Sequence, residues 1–284
     1  MKAAPFAYHR PASVADAVET LSAGDAKVLA GGQSLVPVLA MRLGRPGTLV
    51  DIASLPELGR FERRGDELCI GAAVRQRRVE RDPLTAAVPL IVRAMPFVGH
   101  RELRSRGTVC GSLAHADPAA ELPAVAACLG AVVEVTGPRG DREVPAAEFV
   151  TGAMTTSVAA DELVTGVRFP TAGAGEGFGF AEIARRHGDF ALAGVAVRVR
   201  VAGGAVREAT LAAFGVSDRP VVRDVTDLLS AGVTAAELRP GADSLACEVV
   251  DTAGDAHGST AYRARLLGVL AARELARAHA EAVA

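Results

Sequence analysis

Two stretches of this chain hold residue types that could grip an anion or carry chemistry. In "AGGQS", residues 30–34, Gly31 and Gly32 lack a Cβ, so they can take positive φ and bring backbone amides close to a ligand. Gln33 and Ser34 add further N–H groups and short polar side chains, and successive amides aimed into one concavity bind anions. The same residues also suit a plain strand-to-helix turn, and their spacing is neither G-x-G-x-x-G nor G-x-x-x-x-G-K-[ST]. The second stretch is "GHRELRSRGTVCGSLAHADPAAELP", residues 99–123. Arg101, Arg104 and Arg106 precede the small residues Gly107, Thr108, Gly111, Ser112 and Ala114, and then come His115, Asp117 and Glu121. That run of small residues lets a backbone lie against a large flat ligand.

Ser112, His115 and Asp117 are the residue types of a hydrolytic triad. Within six consecutive residues, however, nucleophile, base and orienter cannot line up in series. His100, His115, Asp117 and Glu121 would suit a borderline or hard cation, which leaves the glycines and hydroxyls without a role. Asp117 followed by Pro118 also fits the cap and first position of a helix, whose N-terminus attracts anions. A third stretch, "GFGFAEIARRHGDFALAGVAV" (177–197), sets Glu182, Arg185, Arg186 and Asp189 between two strand-like runs. It reads either as a polar loop with internal ion pairs or as a flap over a cofactor.

The elements that must position these residues follow from periodicity and breakers. "RPASVADAVETLSAG" predicts a helix with Ser13 and Asp16 in capping-box spacing and Val14, Val18 and Leu21 on one face. "AKVLAGG" reads as a buried strand ending at the glycine pair and "TLVDI" as another, so residues 1 to about 55 form a small α/β unit. Further on, "DELCIGAAV" (66–74), "AVVEVTG" and "ELVTGVRFP" read as strands, the last stopped by Pro170. "LTAAVPLIVRAMPFVG" (84–99), broken by Pro89 and Pro96, and "AAELPAVAACLG" read as helices, which gives a second α/β unit. "TAGAGEG" (171–177) is the linker candidate, with a boundary near 172–177. Beyond it "LAGVAVRVRV", "AGG" and "AVREATLAAFGV" predict a hairpin, and "PVVRDVTDLLSAG", "SLACEVVDTAG" and "TAYRARLLGVLAARELARAHAEAVA" predict helices.

The whole chain of 284 residues is half hydrophobic and 23% charged, with a formal charge of −2. Such a balance describes a globular protein and argues against nucleic acid or an anionic membrane as partner. The opening lacks the apolar core of a secretory signal and no window is apolar enough to span a bilayer, so the expected location is cytoplasmic. Cys69, Cys110, Cys128 and Cys247 show no C-x-x-C spacing, so no disulfide framework, zinc site or iron–sulfur cluster is expected in this chain.

In this order, "AGGQSLVPVLAMRLGRPGTLVDI", "GTVCGSLAHADPAAELP" and "FAEIARRHGDFALAGVAV" closely resemble the FAD-binding medium subunit of molybdenum hydroxylases. That group comprises carbon monoxide dehydrogenase medium subunits and the flavin domain of xanthine dehydrogenase, and the resemblance spans nearly the whole chain. It implies an α+β fold. A two-part FAD-binding domain of the vanillyl-alcohol-oxidase-like type occupies 1–174, with subdomains of about 1–55 and 56–174, and a smaller C-terminal α+β domain of sheet plus helices occupies 175–284. It implies that the amides of Ala30, Gly31, Gly32, Gln33 and Ser34 wrap the FAD pyrophosphate, with Leu35 beside them. Thr108, Cys110, Gly111, Ser112, Ala116, Asp117 and Glu121 would line the diphosphate, ribityl chain and ring. Val164 matches a strand residue whose backbone contacts flavin in some relatives, and Glu182 a position near the isoalloxazine.

Two residues depart from the family's pattern. Cys110 stands where a glycine is commoner, and Ala181 and Glu182 stand where the xanthine dehydrogenase branch has a lysine near the flavin; the chain holds only Lys2 and Lys27. The implied function is electron relay. A large molybdopterin subunit oxidises substrate, a small subunit with two 2Fe-2S clusters passes electrons to FAD here, and FAD passes them to an external acceptor, in a dimer of heterotrimers. No substrate acid/base pair is then expected in this chain. A stand-alone flavin oxidoreductase and a non-catalytic assembly subunit without flavin remain as other readings.

Overall fold

The computed structural model describes residues 2–284. The first unit runs β1 (Ala7–His9), α1 (Val14–Ser22), β2 (Ala26–Leu29), α2 (Leu35–Ala40) and β3 (Thr48–Asp51), with the strands parallel in the order β1-β3-β2. A helix between successive strands carries the chain back to the same end, which is what parallel pairing requires. Ser13 caps α1 by accepting from the Asp16 amide at 3.1 Å. The other half of the expected capping box is missing, because the Asp16 carboxylate accepts from the Ala12 amide and meets His9 instead.

The second unit contains β4 (Phe61–Arg64), β5 (Glu67–Gly71), α3 (Gln76–Arg81), α4 (Pro89–Ala94), α5 (Arg101–Arg104), α6 (Val109–His115) and α7 (Glu121–Cys128). It continues through β6 (Val132–Gly137), β7 (Gly140–Pro145), α8 (Ala146–Phe149), β8 (Val150–Gly152), β9 (Thr155–Thr156) and β10 (Leu163–Pro170). Its sheet, in the order β4-β5-β10-β6-β7, is antiparallel throughout, so the expected second α/β unit is corrected to α+β. The cause is turn length. Gly65–Asp66 and Pro138–Arg139 close two-residue hairpins, and so tight a connection permits only antiparallel strands. Pro89 breaks the predicted helix and opens α4 in its first turn, where a missing N–H costs nothing.

The third unit is a meander of β11 (Glu176–Ala184), β12 (Ala191–Ala202), β13 (Ala205–Phe214) and β14 (Val221–Asp224), followed by α9 (Leu228–Ala231), α10 (Ala235–Val249) and α11 (Thr260–Ala282). The β12–β13 hairpin forms as expected, turning on Gly203 and Gly204, both at positive φ. "PVVRDVTDLLSAG" is only partly helical: Val221–Asp224 pairs with β13 as an edge strand, where β-branched residues fit. The helix predicted at "SLACEVVDTAG" starts nine residues earlier than Ser244, at Ala235, and runs through Pro240 behind a full Thr234/Glu237 capping box.

One sheet separates two hydrophobic cores. Phe178, Phe180, Ala196, Ala212 and Phe214 face the core of the first two units, while Val195, Val197, Leu211 and Ala213 face α10 and α11. Gly177 and Gly179 lie so close to the α11 backbone that a Cβ at either would collide with it. α7, buried along its whole length, packs against β12 and β13 and gives the Cys128 thiol to the Ala196 carbonyl at 3.3 Å.

Candidate cofactor site

The glycine pair and the second motif meet. Gly31 is buried with its Cα against the Arg106–Gly107 peptide: a Cβ there would stand 2.5 Å from the Arg106 oxygen and 2.7 Å from Gly107 Cα. Gly32, at φ +73°, turns the chain so that its carbonyl accepts from the Val36 amide at the start of α2. Among the described residues the amides of Gly31, Gly32, Gln33 and Ser34 find no acceptor, and Gln33 folds its side-chain amide onto the Gly31 oxygen at 3.2 Å. Ala30 packs partly against the core, Leu35 begins α2, and Ser34 is exposed and makes no side-chain cap. Four consecutive open donors leading into α2, beside a tight backbone contact, form a concavity that fits an anion.

The second motif builds α6. Thr108 caps it by accepting from the Gly111 amide at 3.0 Å, and a Cβ at Gly111 would strike that hydroxyl. The Cys110 thiol points away from this face toward β5, donating to the Ile70 carbonyl at 3.6 Å, and burial pushes it up to about 12. The cysteine therefore fills core and leaves the loop contact at Gly31 untouched. Ser112 is half-buried on α6, and Ala116 ends the helix in the left-handed conformation at φ 52°, its carbonyl held by the Met154 amide at 2.9 Å. Asp117 does not cap a helix starting at Pro118: α7 starts at Glu121, and the Asp117 carboxylate makes a local turn by accepting from the Ala119 amide. No three His, Cys, Asp or Glu side chains converge as a metal set among the described residues. Val164 lies buried on β10 opposite Val135, with a bulge at Thr165 immediately after it.

Glu121 and Glu182, distant in sequence, sense each other in space. Glu121 is 8% exposed at the first position of α7, and burial, then the Asp117 charge, pushes its carboxyl up to about 7. Glu182 on β11 is pushed up to about 8 by burial and by Glu121, and its Oε2 is buried without a hydrogen-bond partner. Both carboxyls bind a proton more tightly folded than unfolded, so the stability they lend is whole below about pH 4.5 and fades as pH rises through 7 to 8. The cofactor-free chain is expected to lose about 4 kcal/mol between pH 6 and 9. Urea titrations at the two pH values check this: Glu182→Gln flattens the loss, and an unchanged dependence refutes it.

The Arg185–Asp189 and Arg186–Asp189 ion pairs of the third stretch form as the polar-loop reading expects. The loop borders a cleft of about 540 Å³ whose wall includes Asp117, Phe190, Gly215 and Arg263. Arg263 anchors its floor, donating to the carbonyls of Leu192 and Gly215 at 2.8 Å and pairing with Asp255 at 2.7 Å.

A family model described as "FAD binding domain in molybdopterin dehydrogenase" matches residues 4–172, and one described as "CO dehydrogenase flavoprotein C-terminal domain" matches 178–278. The chain is 38% identical to the nicotine 6-hydroxylase medium subunit of Paenarthrobacter nicotinovorans over 99% of both chains. It belongs to the FAD-binding medium subunits of the molybdenum hydroxylases. Its fold overlays quinoline 2-oxidoreductase from Pseudomonas putida 86 with a TM-score of 0.92 at 33% identity, covering 100% of both chains. Carbon monoxide dehydrogenase from Hydrogenophaga pseudoflava gives 0.92 at 32% identity over 99% of both chains. The expected two-part FAD-binding domain followed by an α+β domain is thus the fold of this medium subunit.

Several residues that brace the site carried no motif. Gln76 is buried, donates its backbone amide to the Gly107 carbonyl at 2.8 Å and its side-chain amide to the Thr108 carbonyl at 3.3 Å. Arg75 donates to the same Arg106 carbonyl that Gly31 packs against. In "VRQRRVERD" nothing distinguishes these two from a solvated helix face. No helix of the described residues is long and apolar enough to cross a membrane.

Proposed function

We propose that this medium subunit is the FAD-carrying electron-transfer component of a multi-subunit molybdenum hydroxylase. It receives electrons from the 2Fe-2S clusters of a small partner and passes them to an external acceptor, within a dimer of heterotrimers that also holds a large molybdopterin subunit. The observation that carries the reading is the row of unsatisfied amides at Gly31–Ser34 pressed against the Arg106–Gly107 backbone. It also weighs against a flavin-free assembly subunit, which would have no use for four open donors.

FAD, when bound, would supply a carrier that can be filled by single electrons and emptied singly or as a pair. The residues of this chain hold it. The amides of residues 31–34, with Ala30 and Leu35 at the ends, would cradle the diphosphate, joined by Thr108, Cys110 and Gly111 at the start of α6. Ser112, Ala116 and Asp117 would follow the ribityl chain, and Val164, Glu121 and Glu182 would border the ring. Relatives named for nicotine, quinoline and carbon monoxide share this chain's fold, so the substrate is selected elsewhere in the assembly.

Purification with FAD present is expected to give a yellow protein with a band near ~450 nm, the mark of a bound oxidised flavin. Anaerobic mixing with a reduced iron–sulfur partner from a neighbouring reading frame should bleach that band. A colourless protein defeats FAD binding, and a yellow one that the partner never bleaches defeats the relay.

A further inference from the structure

Glu182 belongs to no ion pair or hydrogen bond that would explain its burial. Along β11 the odd residues Gly177 and Gly179 press on α11, so the even residues Phe178, Phe180 and Glu182 look toward the first two units. There Phe180 contacts Phe97 and Phe214 at ring distances of 5.4 and 5.7 Å, and the Phe214 ring lies over Gly194, the residue opposite Glu182 on β12. The Glu182 carboxyl therefore borders aromatic surface. A buried oxygen there with no donor is costly as a carboxylate.

The charged groups around it do not neutralise it. α7 presents Glu121, and the loop before it Asp117, both acidic. On α5, Arg104 is committed to Glu80 and to two carbonyls; on α4, Arg93 is committed to Glu281 and the Phe178 carbonyl. Beyond the strand, Arg185 and Arg186 hold Asp189, and His187 stacks on Phe97. β12 offers only Gly194, and Glu274 and Arg277 of α11 belong to the other face of the sheet.

We propose that Glu182 and Glu121 form a redox-linked proton site of this medium subunit, binding one proton from solvent as electrons arrive on the bound FAD and releasing it as they leave. This rests on the FAD reading above. The only bond made is O–H on a carboxylate, the proton comes from water, and the electrons come from the iron–sulfur partner or, in a test, from dithionite. Coupling of this kind is reciprocal: negative charge nearby raises the pair's proton affinity, and a bound proton eases reduction.

The test uses the full chain loaded with FAD and reduced by dithionite in weak buffer with a pH-indicating dye. At pH 7.5, where Glu182 is already about three-quarters protonated and Glu121 about one-quarter, the wild type is expected to take up about a quarter of a proton more per FAD than Glu182→Gln and about three-quarters of a proton more than Glu121→Gln. The wild-type reduced-minus-oxidised infrared spectrum should gain a protonated-carboxyl band that shifts in D₂O, a readout that needs no variant to fold. Equal uptake in the wild type and both variants, or no such band, overturns the proposal while FAD binding stands. A colourless wild type instead removes the FAD reading on which it depends.

Discussion

Gly31→Val is expected to weaken FAD binding about 100-fold while leaving the fold in place. The Cβ it adds would stand 2.5 Å from the Arg106 oxygen and 2.7 Å from Gly107 Cα, and both neighbours are backbone, which cannot swing aside as a flexible side chain can. The loop and the segment leading into α6 must separate, so amides from one motif or the other lose the diphosphate. Losing two charge-assisted hydrogen bonds at about 1.5 kcal/mol each amounts to about 3 kcal/mol, or roughly two decades in Kd. Flavin-fluorescence titration of the apoprotein measures it, with circular dichroism confirming the fold. Gly59→Ala is the control, since a Cβ at that position meets nothing within 4 Å and the variant should bind like wild type. Wild-type affinity in Gly31→Val would mean that FAD does not sit against this loop.

Arg104→Met is expected to destabilise the chain by about 3–5 kcal/mol and to loosen the same segment from its other end. Arg104 is 7% exposed and makes four hydrogen bonds: two to Glu80 at 2.9 and 3.2 Å, and two to the carbonyls of Val98 and Gly99 at 3.1 and 2.9 Å. Methionine keeps the unbranched apolar stem without the guanidinium, so Glu80 keeps only Arg77 and the two carbonyls lose their donor. The ties removed lie just ahead of Arg106, Gly107 and Thr108, so FAD affinity should fall with stability. Glu80→Gln in the same background recovers part of the loss, because the orphaned charge is gone. Thermal unfolding of the four proteins of this cycle decides the matter; an Arg104→Met chain as stable as wild type rules out the bracing role.

The parallel first unit, the β12–β13 hairpin and α11 could be read from the chain because each is specified locally, by Ser13 and the helical stripe, by Gly203–Gly204, and by a long 3.6-residue repeat. What could not be read depends on pairing at a distance. β4 is "FERR", three of its four residues charged and only Phe61 buried, and it becomes a strand only beside β5. Val221–Asp224 has the composition of a helix start and becomes a strand because β13 offers it an open edge. The glycines of the candidate site were conspicuous by type, yet the contact of Gly31 with the Arg106 carbonyl joins segments that nothing local connects. Cys110 looked like a change in the cofactor grip, and its inward rotation could not be foreseen without knowing which face of α6 meets β5. Glu121 and Glu182 each pass for an ordinary surface acid until the fold buries the Glu121 side chain and one carboxyl oxygen of Glu182.

The sheet that serves two cores also limits how this protein can be cut or recombined. Because α7 plugs into β12 and β13, and Arg93 reaches across to Glu281 near the end of α11, the segments on either side of the linker are halves of one joint. A C-terminal half transplanted from a relative must bring its own matching wall. A chain severed at the linker should yield two sticky fragments that regain solubility only when mixed.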